Sequence, residues 1–152
     1  MPAASEPGAP ALPVTYRPLG PRIVGIGLGL GLLVVFAAAW ISFGPDVRAR
    51  FTFFQRSTLV FLGVLGFGAI FALVRSRVDA ERERLVIVNG FRRRELAWEQ
   101  VVSVRLPPGA PWATLDLSDG TTVSAMGIQG SDGARAQQAV QQLRAIAADP
   151  PH

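Results

Sequence analysis

The chain has no cysteine and no lysine, and its single histidine is the terminal His152. Without cysteine it can form neither a disulfide framework nor a thiolate metal site. One terminal histidine cannot build an imidazole cluster or activate a serine, and the sequence contains neither a Gly-x-Ser-x-Gly motif nor a phosphate-loop lysine. The sequence therefore predicts no catalytic residue, no metal site and no cofactor, and it favours a protein without enzymatic activity.

The basic charge of the chain is carried by arginine alone. All 15 basic residues are arginine. From Arg75 onward, ten arginines accompany nine acidic residues, so this part of the chain is nearly neutral. Because nucleic-acid-binding domains carry a clustered basic face, the sequence predicts no nucleic-acid partner.

Two long apolar runs, residues 23–43 and 58–74, are the strongest feature of the sequence. A helix rises about 1.5 Å per residue and the hydrocarbon core of a bilayer is about 30 Å thick, so the first run spans it and the second lies at the short end of the range. We therefore predict a two-helix transmembrane hairpin over residues 21–76, with the lipid bilayer as its surroundings. A buried core helix is the alternative for the second run, but its apolar residues surround the helix rather than forming one stripe.

A cleaved signal peptide is the alternative for the first run. Ala37-Ala38-Ala39 would supply the small residues of a cleavage site. The uncharged run continues past them to Phe43, which favours an anchor. Even after cleavage, the second run would cross the membrane and leave the following domain in the cytoplasm.

The arginines that flank the two runs predict the orientation in the membrane. Six lie outside the pair of runs and three lie between them: Arg17, Arg22, Arg75, Arg77, Arg82 and Arg84 against Arg48, Arg50 and Arg56. Cytoplasmic segments carry the excess of arginine and lysine, so we predict a multi-pass plasma-membrane protein with both termini in the cytoplasm. Phe51, Phe53 and Phe54, interleaved with the connecting arginines, predict that the loop between the runs lies in the membrane interface.

Alternating glycines mark the first run. They are Gly25, Gly27, Gly29 and Gly31. Glycines four residues apart let a second helix approach closely, so these residues are candidate helix-packing positions. Packing against the second span is the expected use, and a homodimer is the alternative.

The rest of the chain predicts one small domain and two tails. Residues 1–20, rich in proline and alanine, predict a disordered tail, and residues 149–152 a short one. Residues 77–148 contain short β-type runs followed by an amphipathic helix that Ser131 or Asp132 can cap. We expect five to seven antiparallel strands, the first near Val78. The other runs are 85–89, 91–98, 101–106, 112–117 and 121–126, and Trp98 and Trp112 are expected in the core.

This order of small strands and a closing helix is similar to the pleckstrin-homology (PH) fold. Residues 77–143 resemble, more specifically, the bacterial PH domain of actinobacterial membrane proteins in the group named after low molecular weight protein antigen 6. The resemblance rests on Asn89-Gly90, the arginine run after it, Trp98 before Val101-Val102, the strand 112–115, the turn Asp119-Gly120 and the segment 126–133. It implies two membrane spans followed by a PH-like split β-barrel with a C-terminal helix, and it transfers no ligand or catalytic residue.

Arginines near the start of this domain are candidate contacts for anionic lipid. They are Arg92, Arg94, Arg75 and Arg77. On a strand, Arg92 and Arg94 share one face while Arg93 points to the other. Nearby carboxylates such as Glu95 can neutralise them, and charged residues commonly protect a solvated strand edge. The sequence therefore favours a protective edge over a lipid site.

The sequence thus favours a non-enzymatic membrane protein that presents a cytoplasmic PH-like domain as an interaction or assembly module. Since the spans already hold the domain at the bilayer, lipid binding would add little localisation, and another membrane or cytoplasmic protein is the expected partner. A sensor of anionic lipid using the Arg92–Arg94 strand is the alternative. An unpaired edge of the split barrel is the expected docking surface. The competing surface is the glutamine face of the helix, Gln137, Gln138, Gln141 and Gln142.

Overall fold

A computed structural model describes residues 8–151, which form two compact units. The first unit, here called the head, contains the described residues up to Gly20 together with those from Arg75 onward. The second, here called the helical unit, is Pro21–Val74. Both ends of the helical unit therefore connect to the same head.

Two long helices are joined by a short one. They are α1 (Leu19–Ser42), α2 (Pro45–Arg50) and α3 (Phe53–Arg75). α1 and α3 are long and apolar enough to cross a membrane. α3 has no buried residue and α1 buries only Gly25 and Gly29, unlike the core helix of a soluble protein.

Both long helices start earlier than the predicted spans, α1 at Leu19 and α3 at Phe53, and a local cap extends α3 beyond its apolar run. At α3, the Thr52 hydroxyl accepts from the Gln55 amide at 3.2 Å, and the Gln55 side chain accepts from the Thr52 amide at 3.0 Å. This reciprocal capping box starts the helix at Phe53. The predicted interfacial loop is partly helical, because it contains α2. Pro45 is the first residue of this helix, a position that proline favours.

The four glycines of α1 divide into two faces. A Cβ atom added at Gly25 would lie 3.2 Å from a methyl carbon of Val74, and one at Gly29 would lie 3.6 Å from the ring of Phe67. A Cβ atom added at Gly27 or Gly31 would meet no atom within 4 Å. Gly25 and Gly29 thus occupy the contact with α3, and the other two face away from it.

The head is built from two antiparallel sheets and one helix. The first sheet has the order β1 (Val14–Tyr16), β2 (Arg77–Ala80), β3 (Arg84–Asn89) and β4 (Arg92–Ala97). The second has the order β5 (Val101–Arg105), β6 (Trp112–Leu117) and β7 (Thr122–Gln129). The helix α4 (Ala134–Ala148) follows. Strands and helix agree with the PH-like fold class that the sequence predicts.

The predicted disordered tail over residues 1–20 is wrong for its second half; residues 1–7 lie outside the described residues. Val14, Thr15 and Tyr16 form β1, which pairs with β2 in the register Val14↔Ala80, Thr15↔Asp79 and Tyr16↔Val78. Val14 and Tyr16 pack against the core of the head, as does Leu12. Apolar contact and backbone pairing therefore order this segment, and the head includes the described residues up to Gly20 as well as those from Arg75 onward.

The core of the head lies between the sheets and α4. Its largest fully buried side chains include Trp98, Leu85, Ile87, Leu115 and Leu143. The Trp98 indole nitrogen donates to the Glu81 carbonyl at 3.0 Å, which satisfies its polar atom at the edge of the core. Trp112 was also expected in the core, but it alternates with buried Ala113 and lies half-buried on the other face of β6.

Candidate interaction surfaces of the head

The outer face of the first sheet is covered by ion pairs. Val86 and Val88 point to this face, yet they are only 1% and 3% exposed. The side chains that cover them form linked pairs: Arg77 with Asp79 at 2.8 Å, Arg93 with Glu95 at 2.7 Å, and Arg84 with Glu95 at 3.0 Å and Glu81 at 2.7 Å. The hydrogen bond and charge of Glu81, with the charge of Glu95, raise the pKa of the Arg84 guanidinium. This face is therefore closed and nearly neutral.

The four candidate lipid contacts do not converge on one site. Arg92 and Arg94 lie on the face of β4 that carries buried Leu96, whereas Arg77 is paired with a carboxylate on the opposite face of the sheet. Arg75 is the last residue of α3. Arg94 contributes to the low pKa of Asp119, whose main cause is a hydrogen bond from the Thr121 hydroxyl. Only Arg92 and Arg94 remain together, and in the described chain neither has an ion pair.

β4 is an outer strand whose free edge is partly open. The two-residue turn makes Asn89 and Arg92 its closing pair, so alternation directs the backbone groups of Arg93 and Glu95 away from β3. The outward amide of Ala97 donates to the Gln100 side chain at 2.9 Å. Across residues 8–151, no backbone hydrogen bond reaches the outward groups of Arg93 and Glu95.

The edges of two other strands are covered. β1 occupies the outer edge of β2 and is itself the outer strand on that side of the first sheet. At β5, Arg144 of α4 donates to the Val104 carbonyl at 2.7 Å, and Gln137 donates to the Leu106 carbonyl at 3.2 Å. Gln137 belongs to the glutamine face that the sequence offered as the competing docking surface, and its side chain also protects the edge of β5 because α4 packs along that strand. β4 thus offers an accessible edge for an incoming strand, unlike the edges of β2 and β5.

Asn89 joins the two sheets. Its side-chain amide donates to the Ser124 carbonyl at 2.6 Å, and its side-chain oxygen accepts from the Met126 amide at 2.9 Å. A Cβ atom added at Gly127 would lie 2.6 Å from the backbone of Arg77, so β7 crosses β2 in close contact. Sequence reasoning identified Asn89 as a turn signal and missed this second role, because its partners lie 35 and 37 positions away.

One end of the head contains both connections to the apolar helices. The Asp132 carboxylate accepts from the Leu19 and Gly20 amides, each at 2.9 Å. Pro21 has no amide hydrogen, so this single side chain satisfies both donors among the first three residues of α1. On the other connection, Ser76 follows α3 and its hydroxyl accepts from the Gly90 amide at 3.0 Å. The adjacent Phe91 is 68% exposed.

The predicted role of Asp132 as the cap of α4 is therefore wrong. α4 begins at Ala134 after Gly133, and no side chain of the described residues caps it. A short 3-10 turn, Gly130–Asp132, aims the carboxylate at the start of α1 instead. Asp116 and Asp119 are engaged separately: Asp116 with Arg105 and Ser103, and Asp119 with Thr121.

A groove of about 180 Å³ lies beside this end of the head. Thr15, Tyr16 and Arg17 line one side, and the start of α4, including Arg135, lines the other. The Tyr16 hydroxyl donates to the Gln142 side chain at 2.9 Å, and burial raises the pKa of Tyr16 to about 12. Sequence reasoning missed this groove because it treated residues 1–20 as a tail.

The part of the head after the second helix has known relatives. Residues 75–145 match the bacterial PH domain family. The match covers β2 to β7 and most of α4, and it begins after β1. In this structure the matched region is extended by β1, a strand from the segment that precedes α1.

Two mycobacterial proteins are similar to a larger part of the chain. The uncharacterized protein Rv1417 of Mycobacterium tuberculosis and the uncharacterized protein Mb1452 of Mycobacterium bovis are each 33% identical to it over 98 residues. The similarity covers 62% of this chain and 64% of each relative, somewhat less than two thirds of their length. No solved structure matches the chain.

Proposed function

We propose that this chain is a non-enzymatic plasma-membrane protein whose bacterial PH domain docks a protein partner through the edge of β4. Membership in the actinobacterial group named after low molecular weight protein antigen 6 is part of the proposal. The observation that carries the proposal is the open backbone of Arg93 and Glu95. The edges of β2 and β5, in contrast, are covered by β1 and α4. Backbone groups on an outer strand bind an extended segment by strand addition.

The charge of β4 indicates the chemistry of the partner. Arg92, Arg93 and Arg94 accompany only one carboxylate, Glu95, along the strand. Exposed charge on an edge strand discourages indiscriminate pairing, and a segment with acidic side chains would meet complementary charge. We therefore propose an extended acidic segment of another membrane or cytoplasmic protein as the partner, and such charge selection provides specificity.

The proposed topology places both termini in the cytoplasm. β1 precedes α1 and β2 follows α3, yet the two strands pair in one head. If α1 and α3 cross the bilayer, this pairing requires that both ends of the helical unit emerge on the same side. The arginine excess outside the two spans favours the cytoplasmic side. Reporter fusions at Asp46 and His152 should give external and internal signals respectively, and an external signal at His152 would overturn the orientation.

Proline substitution tests docking at the edge of β4. Arg93→Pro removes the outward amide without removing a bond to β3, whereas Arg93→Ala removes the same charge and keeps the amide. We expect proteins that cross-link in cells to the full-length chain to be lost with the proline variant and retained with the alanine variant. Circular dichroism checks that both variants fold. Equal loss in both variants, or retention in both, would contradict strand addition at this edge.

A sensor of anionic lipid is the second candidate function. Arg92 and Arg94 favour it, because they share one face and have no ion pair among the described residues. Phe91, beside them, is 68% exposed and would suit the membrane interface. Salt-sensitive retention of anionic lipid that disappears with Arg92→Ala/Arg94→Ala would support this function over protein docking.

A further inference from the structure

The groove between β1 and α4 contains two arginines without a carboxylate partner. Arg17 lies directly after β1 and Arg135 lies in the first turn of α4. Both line the groove, both are exposed, and neither has an ion pair within the described chain. The two arginines therefore place positive charge in a concave site that is separate from the outer face of the first sheet.

Asp132 is the acidic residue on the lining of the groove. Both of its carboxylate oxygens are already engaged, Oδ2 with the Leu19 amide and Oδ1 with the Gly20 amide. It therefore holds the start of α1 while leaving the two guanidinium groups available to another anion. With two arginines and one aspartate, the groove carries a net positive charge.

Other groups around the groove can donate to an anion. Gln138 lines it and is exposed, and its side chain carries two N–H donors. α4 has 15 residues and no side-chain cap, so the amides of its first turn contribute positive potential. A planar guanidinium can donate two parallel hydrogen bonds to a phosphate. The chemistry of this site thus suits a phosphate group.

The position of the groove favours a phosphate that belongs to a lipid. Arg17 is two residues before the start of α1, and Asp132 binds the first amides of that helix. If α1 spans the bilayer, its polar start lies at the level of the headgroups. We infer that the groove binds the phosphate of an anionic lipid headgroup, with Arg17 and Arg135 as its principal donors. This site is separate from the docking edge of β4 and from the Arg92–Arg94 face.

Lipid retention by the full-length protein tests the inference. The protein is reconstituted in nanodiscs of phosphatidylcholine with and without phosphatidylglycerol, and native mass spectrometry measures the lipids it retains. Each basic residue near the membrane surface contributes about fivefold to the affinity for anionic lipid. Arg17→Gln and Arg135→Gln should therefore each weaken retention of phosphatidylglycerol about fivefold, and the double variant should weaken it about twenty-fivefold. The matched control for each single variant, Arg82→Gln, removes one exposed charge of the head outside the groove and should retain the lipid.

A second measurement distinguishes lipid from free phosphate. Hydrogen exchange of the first turn of α4 is followed in phosphatidylcholine nanodiscs with and without inorganic phosphate. Protection by phosphatidylglycerol but not by inorganic phosphate supports the lipid source, while protection by inorganic phosphate alone assigns the site to a soluble phosphate compound. An unchanged exchange pattern, or lipid loss with Arg82→Gln equal to that with Arg17→Gln, would overturn the inference. Docking at β4 is tested by cross-linking in a separate experiment, so each of the two proposals can fail while the other is still tested.

Discussion

Replacing Asn89 with alanine should weaken the connection between the two sheets of the head and make its opening more frequent. The substitution removes one donor and one acceptor and leaves the Ser124 carbonyl and the Met126 amide without their partner. An unsatisfied buried backbone group costs about 1–3 kcal/mol. Because this site is only partly buried, water can replace some of the lost bonding, and we expect a total near 2 kcal/mol, the low end for two groups. At about 1.4 kcal/mol per factor of ten, this corresponds to about a thirtyfold increase in opening.

Hydrogen exchange of the full-length protein in nanodiscs measures this opening. The Met126 amide donates directly to Asn89, so its exchange should accelerate about thirtyfold, provided that opening and closing are fast compared with exchange. Ser124→Ala is the matched control, because Asn89 bonds to the Ser124 backbone and not to its hydroxyl. An acceleration below about threefold would mean a cost under ~0.7 kcal/mol, and would refute the idea that this side chain joins the sheets.

Three further outcomes follow from close contacts in the head. Gly127→Ala should destabilise it by about 3 kcal/mol, since the added carbon would lie 2.6 Å from the Arg77 backbone; an unchanged unfolding temperature would contradict this. Burial raises the pKa of Tyr16 to about 12, above the unfolded value near 10, so its stabilisation is complete below pH ~10 and is lost towards pH ~12. Unfolding measured across that range should therefore show a steeper alkaline loss for the wild type than for Tyr16→Phe, and parallel curves would refute it. Asp132→Ala should accelerate exchange of the Gly20 amide about fivefold, the equivalent of a lost helix cap, and unchanged exchange would exclude the cap.

The strands after the second helix were largely predictable because their signals are local. The run 85–89 ends at Asn89-Gly90, and the structure places Gly90 in the turn with a φ of 61°, a conformation that glycine adopts without strain. The alternation along residues 112–117 agrees with a buried face of Ala113, Leu115 and Leu117, whereas Trp112, which was expected in the core, lies on the other face. Each of these features depends on neighbouring residues, so the sequence contains the information directly.

Contacts between distant segments were not predictable in the same way. β1 has only three residues, and its partner β2 begins 61 positions after Tyr16. A three-residue β-type run within a proline- and alanine-rich segment gives little periodicity to detect. For Asp132, the chemistry of a helix cap was recognised, but the helix start that its carboxylate binds belongs to α1 rather than α4. The groove was missed for the same reason, since it needs both segments.

The pairing of β1 with β2 also explains how so short a strand stays bound. Three residue pairs form too small a contact to hold a free peptide, since even a two-stranded hairpin is marginal in water. Here β1 is covalently continuous with α1, whose first amides Asp132 binds, and this tether makes the pairing intramolecular at high effective concentration. The edge of β2 is therefore occupied from within the chain. A partner that binds to β2 by strand addition would have to displace β1, whereas at β4, the opposite outer strand of this sheet, it meets no strand of the described residues to displace.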